Sequence, residues 1–257
     1  MLKECDISPS YLPPKLIQSA QNITILCPGR KNMRNKKWGL WALIGVAVLL
    51  VAVLVFIRIN EKNSQKAEFP DLEQVEAGQV PDGFDEANQP YMGNPEAAVK
   101  IVEFADYKCP ACKQWTQEIF PKIKSEYLNT GKAVYYYVDF PFLAPDSTLA
   151  ALAGETLYQQ DQKYFWAYYD LMMENQGSKE TAWANKKFIM NLIKENIPGV
   201  DMKKFEQDLD DRKYIANIKR DLLIGEKQGV DGTPFVFVNG QAVDDISWEG
   251  MQAAIEQ

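Results

Sequence analysis

At 257 residues, with an apolar fraction of 46%, the chain is long enough for one large domain or two small ones of ordinary globular composition. Its charge is divided: residues 1–67 hold ten Lys/Arg against three Asp/Glu, which leaves 18 of the 28 basic and 32 of the 35 acidic residues for 68–257. So acidic a globular part argues against a nucleic acid partner, because phosphate binding needs clustered cations.

Residues 1–32 show no clear amphipathic period. Met33 stands directly before "RNKKWGLW" and could be the true start, with 1–32 an upstream extension. Trp38–Ile57, "WGLWALIGVAVLLVAVLVFI", has no charged residue. Twenty residues at about 1.5 Å each span the apolar thickness of a bilayer, which predicts a single-pass transmembrane helix. Arg30, Lys31, Arg34, Lys36 and Lys37 precede it, so the positive-inside bias places residues 1–37 in the cytoplasm and the C-terminal bulk outside. The following "VFIRINEKNSQK" offers no small-residue cleavage site, which favours an anchor over a cleaved signal. On this orientation Cys5 and Cys27 lie in the reducing cytoplasm. The sequon Asn22-Ile23-Thr24 shares that side and reads as chance.

Residues 58–88 are polar, broken by Pro70 and Pro81, and read as a linker. Asp82, Asp85 and Glu86 could bind a cation there or simply be solvated. A short strand is expected near Gln89–Gly93. "VKIVEF" (Val99–Phe104) and "AVYYYVDF" (Ala133–Phe140) predict strands, separated by a helix starting at Pro110 with Trp115, Ile119, Phe120, Ile123 and Tyr127 at helical spacing. Five helices then follow, at 147–160, 164–175, 182–196, 202–210 and 214–229. "FVFVNG" (Phe235–Gly240) is a strand running into an Asn-Gly hairpin turn, and Ser247–Glu256 a closing helix. The strand–helix–strand opening implies a βαβ crossover and a mostly parallel sheet. Tyr164, Phe165 and Trp166 fit either a core between helices or a groove for unfolded peptide.

Two of the four cysteines, Cys109 and Cys112, sit three apart in "EFADYKCPACKQW". Structural zinc needs about four Cys/His ligands, and with no histidine and the other cysteines across the membrane the ligand count fails. A structural disulfide gains most from a long loop, whereas this loop is nearly the shortest possible. Free thiols outside the membrane oxidise. A redox pair explains the spacing: with Cys109 at the N-cap, Pro110 occupies the first helical position, where proline is best tolerated. The orphan N–H groups and the helix dipole then favour a Cys109 thiolate, with Cys112 shielded one turn further in. Glu103, six residues earlier, is either an outward-facing strand residue or a carboxylate that moves the Cys112 proton. Pro234 marks either a strand edge or a cis Thr233–Pro234 bond.

The order of strand, "CPAC", helix, strand, long helical insertion and "GTPFVFVNG" resembles the DsbA-like branch of the thioredoxin superfamily, above all its membrane-anchored BdbD type. The likeness covers Gln89–Gln257. It implies an α/β thioredoxin fold (89–146 and 229–257) with an inserted all-helical domain (147–228), preceded by the linker 58–88 and the anchor 38–57. It implies an enzyme without cofactor or metal: Cys109 as the attacked and attacking sulfur, Cys112 as the resolving one, Glu103 as the buried acid, and Pro234 as the cis-proline facing the pair. Thr233, Pro110 and Ala111 would contact the substrate. Pro110-Ala111 replaces the Pro-His of the best-known members. The implied activity is extracytoplasmic oxidation of folding proteins with free thiols at a bacterial cell membrane, with a quinone-linked DsbB-type partner for re-oxidation. A reductase or isomerase, and a non-catalytic peptide binder, would share the fold.

Overall fold

The computed structural model describes residues 35–257, with side chains from Trp41 to Arg58 and from Phe69 onward. The readings of Cys5, Cys27, the 22–24 sequon and a Met33 start lie outside the described residues. The chain divides into two compact units, 1–60 and 61–257.

Helix α1 runs Asn35–Glu68 and contains one stretch, Trp41–Arg58, long and apolar enough to cross a membrane. Its side chains are exposed along that stretch, as expected of a helix apolar on all sides.

The second unit is built on a five-stranded sheet in the order β1-β3-β2-β4-β5, with β1 Tyr91–Gly93, β2 Val99–Ala105, β3 Ala133–Asp139, β4 Phe235–Val238 and β5 Gln241–Ala242. Central β2 pairs parallel with β3 and antiparallel with β4; β1 and β5 add antiparallel edges. All seven β3 residues are buried, which is why the strand reads as a continuous apolar run. One face carries Ile101, Glu103, Ala105, Tyr135, Tyr137, Val236 and Val238, packed with Cys112, Trp115, Tyr169 and Met251. The other carries Val102, Phe104, Val134, Val138 and Phe237, packed with Phe84, Phe140, Ile224 and Val230. Asn239 (φ 50°) and Gly240 (φ 80°) turn β4 into β5 through the left-handed pair that a two-residue hairpin demands.

Between β2 and β3 the expected single helix is broken. Helix α2 spans Pro110–Glu118, α3 spans Phe120–Ile123, and a π turn covers Lys124–Leu128. Pro121 lacks the N–H that would continue the ladder, so the apolar period carries on while the helix does not.

Between β3 and β4 lie α4 (Pro145–Tyr158), α5 (Gln162–Glu174), α6 (Lys186–Asn196), α7 (Met202–Asp210) and α8 (Ile215–Lys227), and α9 (Trp248–Ile255) closes the chain. Their starts are written in the sequence. Asp161, Asn185, Asp201 and Ser247 each accept the N–H two or three residues on, contacts worth about 1 kcal/mol apiece. Helix α4 is buried from Asp146 to Leu157, and its small residues let neighbours approach closely.

One expectation changes here. The stretch read as a linker is α1 up to Glu68, then a packed segment with Phe69, Leu72, Ala77 and Phe84 buried. Its acids face cations: Asp82 pairs with Lys227, Asp85 with Arg220 and Glu86 with Lys100. Phe165 and Trp166 are core, and the Tyr164 hydroxyl donates to Gly199 O, so this trio forms no peptide groove.

Gly225 of α8 permits the closest approach to the sheet, since a Cβ there would sit 2.5 Å from the Phe140 ring and 3.2 Å from that of Phe104. Alanine gains about 1 kcal/mol of helix propensity over glycine, but overpacking against two rings costs about 1–3 kcal/mol. Gly225→Ala is therefore expected to lower stability to urea by about 1 kcal/mol, instead of raising it as at an exposed helical site.

Candidate active site

Strand β2 ends at Ala105, and the turn 106–108 delivers the chain to the N-terminus of α2. Asp106 shapes that turn. One carboxylate oxygen accepts the Lys108 N–H at 2.8 Å, and the other accepts the N–H groups of Phe142 and Leu143 at 3.1 Å each. Lys108 is buried, its ammonium 2.6 Å from Asp146 of α4 and 2.9 Å from Thr181 O. Removing either charge of such a pair costs about 3–5 kcal/mol, because the other is left buried alone. Gln176, after α5, donates one amide nitrogen to Tyr107 O (2.9 Å) and Cys109 O (3.0 Å). The helical insertion thus grips the cysteine turn from three directions.

Cys109 is the N-cap of α2 in extended conformation, with Pro110 at the first helical position. Cys109 as a residue is 7% exposed and Cys112 is fully buried; both are free thiols. Pro110 and Ala111 are exposed beside them. The Thr233–Pro234 bond is cis, and the Cys109 thiol donates to Thr233 O at 3.2 Å. Glu103 points to the sheet face that holds the cysteines. It is fully buried, and its Oε2 accepts the hydroxyls of Tyr135 and, at 3.4 Å, Tyr169. Its Oε1 has no partner among the described residues. Because both faces of the sheet are covered, the outward-facing reading of Glu103 is ruled out.

The electrostatics separate the two sulfurs. The Cys109 thiol is lowered to about 5, first by a hydrogen bond from the Cys112 S–H, against burial. Thr233, whose buried Oγ1 has no other partner, and the N–H groups of Cys112 and Ala111 add to the lowering. The helix terminus expected to dominate is therefore a lesser contributor, since the sulfur closes no capping hydrogen bond of ordinary length. Cys112 is pushed well up by burial, by donating to Cys109 and by the charge of Glu103. Burial raises Glu103 to about 7; Tyr135 and Tyr169 oppose this, and the Cys109 charge reinforces it. The result is one thiolate, one thiol and one carboxyl able to exchange a proton near neutrality.

A family model described as thioredoxin matches residues 85–257. The chain is 33% identical over 224 residues to the probable disulfide bond formation protein D of Bacillus anthracis, covering 87% of this chain and 96% of that protein. The chain belongs to this family. Its fold matches the crystal structure of oxidised BdbD from Bacillus subtilis with a TM-score of 0.64 and 28% identity, over 70% of this chain and 97% of that one. It matches Chlamydia trachomatis DsbA with a TM-score of 0.60 and 25% identity, over 66% and 90%. The thioredoxin-like fold and the BdbD-type resemblance are thus both shown.

In this BdbD-type protein, sequence patterns located Cys109, Cys112, Glu103, Thr233 and Pro234, which the fold brings together, with Pro110 and Ala111 at the rim. They missed Lys108, Asp146 and Gln176, which look like surface residues in one dimension. They also missed Tyr135, Tyr169 and Thr116 around Glu103. The only signal for Tyr135 was its place in an aromatic strand next to β2.

Glu103 makes stability depend on pH. Its folded value of about 7 exceeds the ordinary 4.5, so the unfolded chain ionises first as pH rises. The fold carries no penalty below about 4.5 and loses about 3 kcal/mol by pH 8. Glu103→Gln removes that charge. Urea unfolding of the reduced protein is expected to show the variant gaining up to about 3 kcal/mol on wild type at pH 8 relative to pH 4.

Proposed function

We propose that the protein is an extracytoplasmic thiol-disulfide oxidase, carried by one observation: a nearly buried Cys109 whose thiolate is strongly favoured while Cys112 stays a thiol. A substrate thiolate attacks the Cys109 sulfur of the Cys109–Cys112 disulfide, and Cys112 leaves and takes up a proton, for which Glu103 is the donor. The substrate's second thiolate then attacks the substrate sulfur of the mixed disulfide and releases Cys109 as a thiolate. Two electrons pass from the substrate dithiol to the cysteine pair.

The direction follows from magnitudes. At pH 7 a Cys109 value of about 5 in place of 9.0 favours the reduced form by at most about 3 kcal/mol, less where water screens the sulfur. For a two-electron couple this raises the potential by at most about 60 mV. In the reduced form Cys112 is a protonated thiol at pH 7 with or without its upward shift, so that shift costs nothing in return.

In this reading Trp38–Ile57 anchors the protein in the bacterial cell membrane, residues 1–37 stay in the cytoplasm, and 58–88 connect the anchor to the enzyme. Residues 89–146 with 229–257 form the thioredoxin-like part, and 147–228 the helical insertion. The substrates are folding proteins with free thiols, met by Thr233, Pro110 and Ala111. A DsbB-type quinone-linked membrane partner restores the disulfide. The names of the relatives and the positive-inside charge pattern support this arrangement.

Equilibration of the full-length protein in detergent with glutathione buffers tests the direction. A potential less negative than glutathione's is expected; a more negative one favours the reductase reading. Cys112→Ser is expected to accumulate a mixed disulfide of Cys109 with glutathione when treated with oxidised glutathione, whose other half leaves as the free thiol, and Cys109→Ser to lose oxidase activity by at least about 10³-fold. Full activity of Cys109→Ser would leave only the peptide-binding reading.

A further inference from the structure

We infer that Thr116 and Tyr169 form a hydroxyl relay that carries protons between solvent and the buried carboxyl of Glu103. The inference rests on the reading of Glu103 as the proton carrier for Cys112.

Glu103 and Cys112 have no exposed surface, and in the mixed disulfide the substrate covers the opening above Cys109. A proton that Glu103 gives to Cys112 must still be replaced from water. Two hydroxyls touch Glu103 Oε2, those of Tyr135 and Tyr169. The Tyr135 branch ends at the buried Trp115, whose indole Nε1 sits 3.4 Å from the Tyr135 oxygen and is a donor only. It can hold Tyr135 in place but cannot take up and pass on a proton. The Tyr169 branch continues: its hydroxyl shares a 2.7 Å hydrogen bond with Thr116 Oγ1, and Thr116 is half-buried on the flank of α2. Both hydroxyls can donate and accept at once, which is what proton hopping requires. Thr116 Oγ1 also lies 2.9 Å from Cys112 O, an acceptor for its hydrogen between transfers.

The step balances. Reduction of the disulfide leaves Cys112 as a thiolate, which takes the proton of Glu103. The Glu103 carboxylate then takes the Tyr169 hydrogen, Tyr169 takes that of Thr116, and Thr116 takes one from water. One proton enters for each disulfide reduced, and the electrons come from the substrate dithiol. Re-oxidation runs the relay outward. Thr116 and Tyr169 are positioning residues, since neither touches a reacting sulfur.

The test is single-turnover reduction of the full-length oxidised protein in detergent by a dithiol peptide, in light and heavy water. Thr116→Val and Tyr169→Phe are expected to be about tenfold slower with a larger solvent isotope effect, while the glutathione potential of Thr116→Val stays at the wild-type value. Thr116→Ser, which keeps the hydroxyl, is expected to restore rate and isotope effect. Tyr135→Phe should shift the pH profile upward, through loss of a hydrogen bond to the carboxylate, with the isotope effect of wild type. Wild-type rate and isotope effect in Thr116→Val, with Glu103→Gln slow, would overturn the relay and leave Glu103 as carrier. Wild-type behaviour of Glu103→Gln would overturn both.

Discussion

A sulfur anion has to be kept almost out of water, and most of the site exists to make that possible. The Cys109 thiolate is held first by the Cys112 S–H, then by Thr233 and the opening N–H groups of α2. A charge so placed depends on donors fixed in advance. That explains the number of contacts spent on the short turn 106–108 and on Cys109 after it. Asp106 gathers three backbone N–H groups, Gln176 takes two carbonyls, and Lys108 is tied through Asp146 to the start of α4. The start of α4 and the segment after α5 are thereby part of the redox site, although they supply no sulfur to it.

The second constraint is a carboxyl beneath the cysteines with two neutral hydroxyl donors. A cation there would hold Glu103 ionised and useless as a proton source near neutrality. Tyrosine hydroxyls lower its value only partly against burial, and it settles at about 7. Glu103 and Cys109 oppose one another electrostatically, so reduction, which creates the Cys109 charge, also makes Glu103 hold its proton more firmly. The order of ionisation, Cys109 then Glu103 then Cys112, lets one buried site hold a nucleophile and a proton donor together.

Much of this was legible in one dimension, for identifiable reasons. Runs such as "VKIVEF" and "AVYYYVDF" read as buried strands because both sheet faces are covered. "CPAC" fixed a helix start because proline tolerates only the first turn. The same double burial hid the orientation of Glu103, since alternation separates two faces but cannot say which one holds the cysteines. The break at Pro121 was masked by an apolar period that continues through it. Lys108 read as solvated because only the fold brings Asp146 and Thr181 to it. The polar composition of 69–88 concealed Phe69, Leu72 and Phe84, whose burial depends on surfaces far away in sequence.

The central claim is that the folded chain makes Cys109 a far stronger acid than an ordinary thiol. Ultraviolet titration of the thiolate in the reduced full-length protein, with Cys109→Ser as the blank, measures this directly. The expected difference from the blank, which cancels Cys5 and Cys27, is one transition at about pH 5, with Cys112 silent through neutrality. A Cys109 transition between about pH 8 and 9, where a free thiol titrates, would contradict it.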